Sequence, residues 1–246
     1  LKGSMSISGD VFSNGNMIIN SPAAVTGGEV STPLSFSVSG SGTYTVGPTP
    51  DPLPTMPYLD TTYYDTKISI AGSQPPTSET LSNYNLGGST IYVNGNITVS
   101  GNLTGGGIIV ATGTINIEGA SVDLNTTFIS NGALTIFSTA NIQGDSIIYS
   151  GTNVSMPGNS RVDGSILSSS VTIAGTPTIH GIIYAWDLSV DVVGTANVYG
   201  SIVNPSSKTY TGNISVVYDE SYIPATVPPG LQASGFHLVK GSWREL

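Results

Sequence analysis

At 246 residues, with a formal net charge of −9, 31 glycines and no cysteine, the chain excludes several classes at once. Disulfide frameworks, thiolate catalysis and cysteine-ligated metals are ruled out. Six scattered basic residues, Lys2, Lys67, Arg161, Lys208, Lys240 and Arg244, do not make the clustered cationic surface that nucleic acid requires.

Charged residues are only 9% of the chain, but apolar residues are 38% and periodically placed, so low charge here signals an ordered, β-rich, turn-dense protein and not disorder. No stretch approaches the roughly 18 apolar residues of a membrane-spanning helix. The acidic, Lys-poor, Ser/Thr/Asn/Gly-rich composition points to export, and an export or anchoring segment ahead of Leu1 is expected.

In chain order, the first segment already reads as a solenoid. Ser13, Asn14, Gly15, Ile19, Ser21, Ala23 and Gly27 recur at one constant offset as Ser130, Asn131, Gly132, Ile136, Ser138, Ala140 and Gly144. A further lap follows with Val30, Phe36, Val38 and Tyr44 in inward places. Residues 5–47 are thus expected to form first coils that precede the main stack.

Residues 48–90 interrupt the pattern. Pro48, Pro50, Pro52, Pro54 and Pro57 lack the N–H that a ladder strand must donate. A short helix is expected between Leu59 and Ile68, capped by Asp60 or Thr61, with Leu59, Tyr63 and Tyr64 on one side. Pro75-Pro76 then ends regular structure. This insertion is expected to pack along the flank of the solenoid, being too small to build its own core.

From residue 91 to 218 an apolar pair opens each unit: Ile91-Tyr92, Ile108-Ile109, Phe128-Ile129, Ile147-Ile148, Ile166-Leu167, Ile182-Ile183 and Ile202-Val203. First members are 17, 20, 19, 19, 16 and 20 residues apart. A second apolar beat (Ile97/Val99, Ile115/Ile117, Leu134/Ile136, Val154/Met156, Val171/Ile173, Leu188/Val190) and a third (Leu103, Val122/Leu124, Ile142, Val162, Ile179, Val198) complete the unit. One lap cannot bury its own inward face, whereas stacked laps align such residues into columns. The expected fold is all-β, a single-stranded parallel β-helix of about nine coils of roughly 17–20 residues. The tail, residues 219–246, carries Tyr222, Pro224, Pro228-Pro229-Gly230, Phe236 and Trp243 and is expected to cap an end or a flank. Residues 5–246 form one domain on this reading.

Candidate chemistry is sparse. Asp145, Asp163, Asp187 and Asp191 fall in or beside turns, where Asp is favoured for its local backbone hydrogen bonds. Arg161 lies close to Asp163. His180 follows an inward Ile179 and is expected to point outward, and His237 lies in the tail. Two isolated histidines do not make a catalytic zinc site. Calcium near Asp219/Glu220 or Asp187/Asp191 is left open as a metal site. No catalytic residue and no cofactor site is expected.

Two places carry a family likeness. One is the proline ladder that leads from Pro48 to Leu59-Asp60 and Tyr63-Tyr64-Asp65. The other is the ending, Val216-Val217-Tyr218-Asp219, Pro228-Pro229-Gly230 and Gly241-Ser242-Trp243-Arg244-Glu245. A glycine-rich solenoid between such segments resembles the PilX-type accessory proteins of type IV pili, the minor pilins. The resemblance implies a non-enzymatic, structural or adhesive component of an extracellular filament, at or near its tip. It also implies a membrane-targeting N-terminal helix, expected ahead of Leu1, and partners among other pilus subunits, surface glycans or another cell-surface receptor. The polymerising bactofilin β-helices are the second likeness; they lack the proline-rich insertion and the Trp-bearing tail. A polysaccharide-active β-helix enzyme is the third reading.

Overall fold

The computed structural model describes residues 5–13, 17–20, 23–39, 42–49, 57–123, 125–137, 139–187, 189–204, 212–222, 224–232, 236–239 and 242–245. Pro50, Pro52, Pro54, Leu124, Leu188, Pro205 and the side chains of Glu220, Phe236, His237 and Trp243 lie outside the described residues.

The architecture is a parallel β-solenoid of about ten turns, with its main ladder a 15-stranded sheet. Each lap contributes inward side chains to the same columns. Ile97, Ile115, Leu134, Val154, Val171 and Val190 stack in register on one wall. Leu103, Val122, Ile142, Val162, Ile179 and Val198 do so on a second. All of these are buried. Backbone groups pair with the laps above and below, so each added lap satisfies the edge of the one before it.

The third wall departs from the sequence-based alignment. Its inward column is Ile91, Ile109, Phe128, Ile148, Ile166, Ile183 and Ile202. The inward residue is therefore the first of the apolar pair in four laps and the second at Ile108-Ile109, Ile147-Ile148 and Ile182-Ile183. A slip of one residue moves a side chain to the opposite face of a strand, so the residue after each inward one points out. Those outward residues form a second apolar stripe, Tyr92, Val110, Ile129, Tyr149, Leu167, Tyr184 and Val203, in register along the flank.

That stripe is covered by the segment from Pro57 to Gly72. Tyr58–Leu59 is a short strand, and the helix Thr62–Gly72 follows. Asp60 supplies the expected cap: its carboxylate accepts the Thr62 N–H at 3.0 Å. Thr61 instead donates its hydroxyl to Asp65 at 2.8 Å. Leu59, Tyr64 and Ala71 are buried against Val110, Ile129, Tyr149, Leu167 and Tyr184 as a core of their own. The Tyr64 ring lies flat on Tyr149, with centroids 3.9 Å apart and planes 2° apart. Farther along, the Tyr184 hydroxyl donates to the Pro57 carbonyl at 2.6 Å, and Asn94 donates to the carbonyls of Gly72 and Gln74. The interruption ends earlier than residue 90, because Glu79–Asn85 is already a ladder strand paired with Ile97–Thr104.

Burial pushes the Tyr149 hydroxyl up to about 12 and raises that of Tyr64 farther. An unfolded tyrosine ionises near 10, so the folded chain holds these protons where the unfolded chain releases them. The resulting contribution to stability is complete below pH 10 and is lost as pH rises towards 12. Thermal midpoints measured across that window should fall steeply for the natural chain and less so for Tyr149→Phe.

The N-terminal laps occupy an unexpected place. The strand Met5–Ser8 pairs in parallel with Asn213–Val217, setting Met5 opposite Ile214 and Ile7 opposite Val216. On its other side it pairs with Ala23–Thr26, and Ala24 bridges onward to Thr43. Residues 5–47 therefore do not precede the main stack. They continue it beyond its last lap, and the chain then returns along the flank through the Pro57–Gly72 strap to begin the first lap at Glu79. The columns extend through the joint as Ala196, Ile214, Met5, Ala23 and as Val198, Val216, Ile7, Val25.

A glycine column marks the wall that carries the site described next. Gly164, Gly181 and Gly200 stack in register, with φ of 140°, 143° and 141°. A Cβ on Gly181 would stand 1.9 Å from the Gly164 carbonyl oxygen. Gly181→Ala combines that clash with a backbone geometry costing about 1–3 kcal/mol in a non-glycine residue. It should lower stability by at least that amount in urea titrations; an unchanged midpoint would show that the laps can separate at little cost.

Candidate functional site

The apolar-polar-glycine triplets Val162-Asp163-Gly164, Ile179-His180-Gly181 and Val198-Tyr199-Gly200 place Asp163, His180 and Tyr199 side by side on three adjacent laps. Inward Val162, Ile179 and Val198 fix their neighbours outward by strand alternation. Both oxygens of Asp163 are engaged. Its carboxylate accepts the Arg161 Nε at 3.0 Å and Nη2 at 3.0 Å, and lies 2.7 Å from His180 Nδ1. The hydrogen bond and ion pair to Asp163 raise the pKa of the Arg161 guanidinium.

His180 points out of the solenoid as expected, but it is only 9% exposed. After the strand Asn213–Val217, the chain makes a single turn of 3-10 helix at Glu220–Tyr222 and lays Tyr222 over it. The two rings stack with centroids 4.2 Å apart and planes 15° apart, and Tyr199 leans on both. Asp219 ties down this turn by accepting the Ser221 N–H and hydroxyl at 2.9 and 2.7 Å, contacts that hold its carboxyl below the usual range.

Between the turn and the wall lies a cleft of about 210 Å³ lined by Gly144, Asp145, Asp163, Gly164, His180, Ser221 and Tyr222. Asp145 reaches it because two extra residues bulge the strand between Ile142 and Ser146. The Asp145 N–H donates to Asn125 at 3.1 Å, while no hydrogen bond engages its carboxylate among the described residues. The Arg161–Asp163 neighbours, with Asp145 and His180, which the sequence places in different laps, thus converge on one flank. The repeated triplets were the signal; the contribution of Tyr222 has no sequence signal short of knowing where the chain turns after Val217.

The other candidates stay apart. Asp191 accepts the Ser189 hydroxyl at 2.9 Å, and Asp187 is exposed in the turn between the strands Thr178–Ala185 and Val190–Val192. Among the described residues no three carboxylates or imidazoles gather as metal ligands. Residues 224–232 of the tail lie along the flank: Leu231–Gln232 pairs antiparallel with Tyr58–Leu59 of the strap, and the Asp60 N–H donates to the Gly230 carbonyl at 2.8 Å. Among the described residues no helix is long and apolar enough to cross a membrane.

The family model described as Domain of unknown function (DUF7305) matches residues 62–223, well over half of the chain. The chain belongs to the DUF7305 family. The matched stretch runs from the strap helix to the turn that carries Tyr222, so it contains both the covered apolar flank and the His180 cleft. The N-terminal laps lie outside the DUF7305 match, although they stack directly on its last strand. No curated protein and no solved structure matches the chain.

Proposed function

We propose that this DUF7305 protein is a non-enzymatic structural and adhesive component of an extracellular, type IV pilus-like filament, placed at or near the tip. The observation that carries this reading is the docking of the chain's own first laps on the last lap of its body. Met5–Ser8 occupies the edge of Asn213–Val217 that a polymerising β-helix would offer to the next subunit. The outer strands of the ladder are then Ala23–Thr26 and Glu79–Asn85, and the flank between them carries the strap and the cleft. The pairing weighs against the bactofilin-like scaffold.

The polysaccharide-active reading has less support. Glycoside hydrolysis commonly uses two carboxylates free to act across the bond, whereas both oxygens of Asp163 are engaged by Arg161 and His180. Outward Ser, Thr and Asn suit display and contact more than chemistry. Immunogold labelling of intact cells with antibody to the solenoid tests the proposal. Label on filaments is expected; label confined to the cell interior would overturn it. In parallel, concentration-driven filaments of the purified chain in light scattering would favour the scaffold reading.

A further inference from the structure

We infer that the cleft beside His180 binds one neutral, hydroxyl-rich unit of a glycan. The cleft is small, about 210 Å³, below the roughly 300–1,000 Å³ of pockets that enclose drug-sized ligands. It therefore holds one compact polar group and leaves the rest of a longer ligand outside.

Its free valences select the chemistry. Asp163 is already engaged at both oxygens by Arg161 and His180, which makes it the poorer acceptor of the two carboxylates. The Asp145 carboxylate is the open acceptor, and His180 Nε2 is the open imidazole nitrogen once Nδ1 is turned to Asp163. A carboxylate that accepts from hydroxyls, facing a ring nitrogen that can donate or accept, matches a pair of sugar hydroxyls. Tyr222, 38% exposed and held by its stack on His180, lines the cleft and offers its hydroxyl to sugar hydroxyls and aromatic surface to pyranose C–H groups. Gly144 and Gly164 keep the floor free of side chains.

Charge narrows the class further. Arg161 neutralises Asp163, which leaves the Asp145 carboxylate in the cleft to repel uronic acids and other anionic sugars. The hydroxyls of a neutral glycan supply the donors that Asp145 accepts without that conflict. The assignment rests on the adhesive reading for its setting, but its chemistry stands independently of any filament.

Saturation-transfer NMR on the full chain tests it, with methyl glycosides of glucose, galactose, mannose and N-acetylglucosamine as probes and with glucuronic acid and glucosamine as charged counterparts. At least one neutral glycoside should bind at millimolar concentration. Asp145→Ala should weaken it about tenfold or more, the expected loss for a hydrogen bond to a charged acceptor. Tyr222→Ala should weaken it as well, with circular dichroism unchanged in both variants. Binding by none of the neutral probes, equal binding by Asp145→Ala, or tighter binding of glucosamine or glucuronic acid would overturn the assignment. Filament labelling in cells is a separate readout, so failure of one leaves the other standing.

Discussion

Removing residues 1–47 should turn a concentration-independent species into a self-associating one. In the intact chain, Met5 and Ile7 extend the columns of Ile214 and Val216 and cover the edge of Asn213–Val217. Each such side chain contributes about 1.5–3 kcal/mol when taken from water. Without them, a parallel strand edge and the apolar cross-section of a lap face solvent together, which is the template on which solenoids and sheets join end to end. Sedimentation velocity over a range of concentrations should show the shortened chain forming oligomers while the full chain does not. The far-ultraviolet spectrum of the remaining laps should stay β-type. A shortened chain that remains monodisperse would mean that the first laps do not act as the cap.

The second large effect is expected at Tyr64. This residue is fully buried, and its ring begins a stack that continues through Tyr149 to Trp186, the last two with centroids 5.5 Å apart. Tyr64→Ala removes the anchor of the strap on the outward apolar stripe and should cost about 3–5 kcal/mol, as for other large aromatic truncations. Tyr64→Phe should behave in the opposite way. The Tyr64 hydroxyl is buried and has no hydrogen-bond partner among the described residues, so deleting it keeps the packing and removes an unsatisfied polar group, a change that is neutral or stabilising by up to about 1–3 kcal/mol. Thermal denaturation separates the two variants, and limited proteolysis should cut only the alanine form within residues 57–78. Equal behaviour of the two variants would move the anchor elsewhere, to Leu59 or to Tyr184 and its bond to Pro57.

The repeat was legible in the sequence because period-two alternation and recurring Ile, Val and Leu encode a column directly. The second and third beats, from Ile97 to Val190 and from Leu103 to Val198, fall where their spacing placed them. The opening pairs were harder. Two adjacent apolar residues do not say which one faces in, and lap lengths vary through bulges such as that between Ile142 and Ser146. That doubling nevertheless had a meaning: a strand apolar on both faces is a strand covered on both faces. The strap's attachment to Val110, Ile129 and Tyr149 was implicit there.

Other features were not encoded locally. Similarity between residues 13–27 and 130–144 shows that two coils share a shape, but not at which end of the stack they dock. His180 was placed outward by alternation, yet its burial depends on Tyr222, which returns from a different segment. The Asp163–Arg161 pair was visible as neighbours on one strand, whereas Asp145 reaches the same cleft only through a bulge.

The pairing of Met5 with Ile214 also fixes an order of events during synthesis. Met5–Ser8 has one neighbour, Ala23–Thr26, close by in its own segment, but its other neighbour lies 209 residues later, since 214 − 5 = 209. At about 5–20 residues per second, it waits for about 10–40 s before that partner exists. Contacts of such separation form late and slowly. Until then the laps of residues 5–47 have only one another to pair with, and the outer edge of Met5–Ser8 stays open.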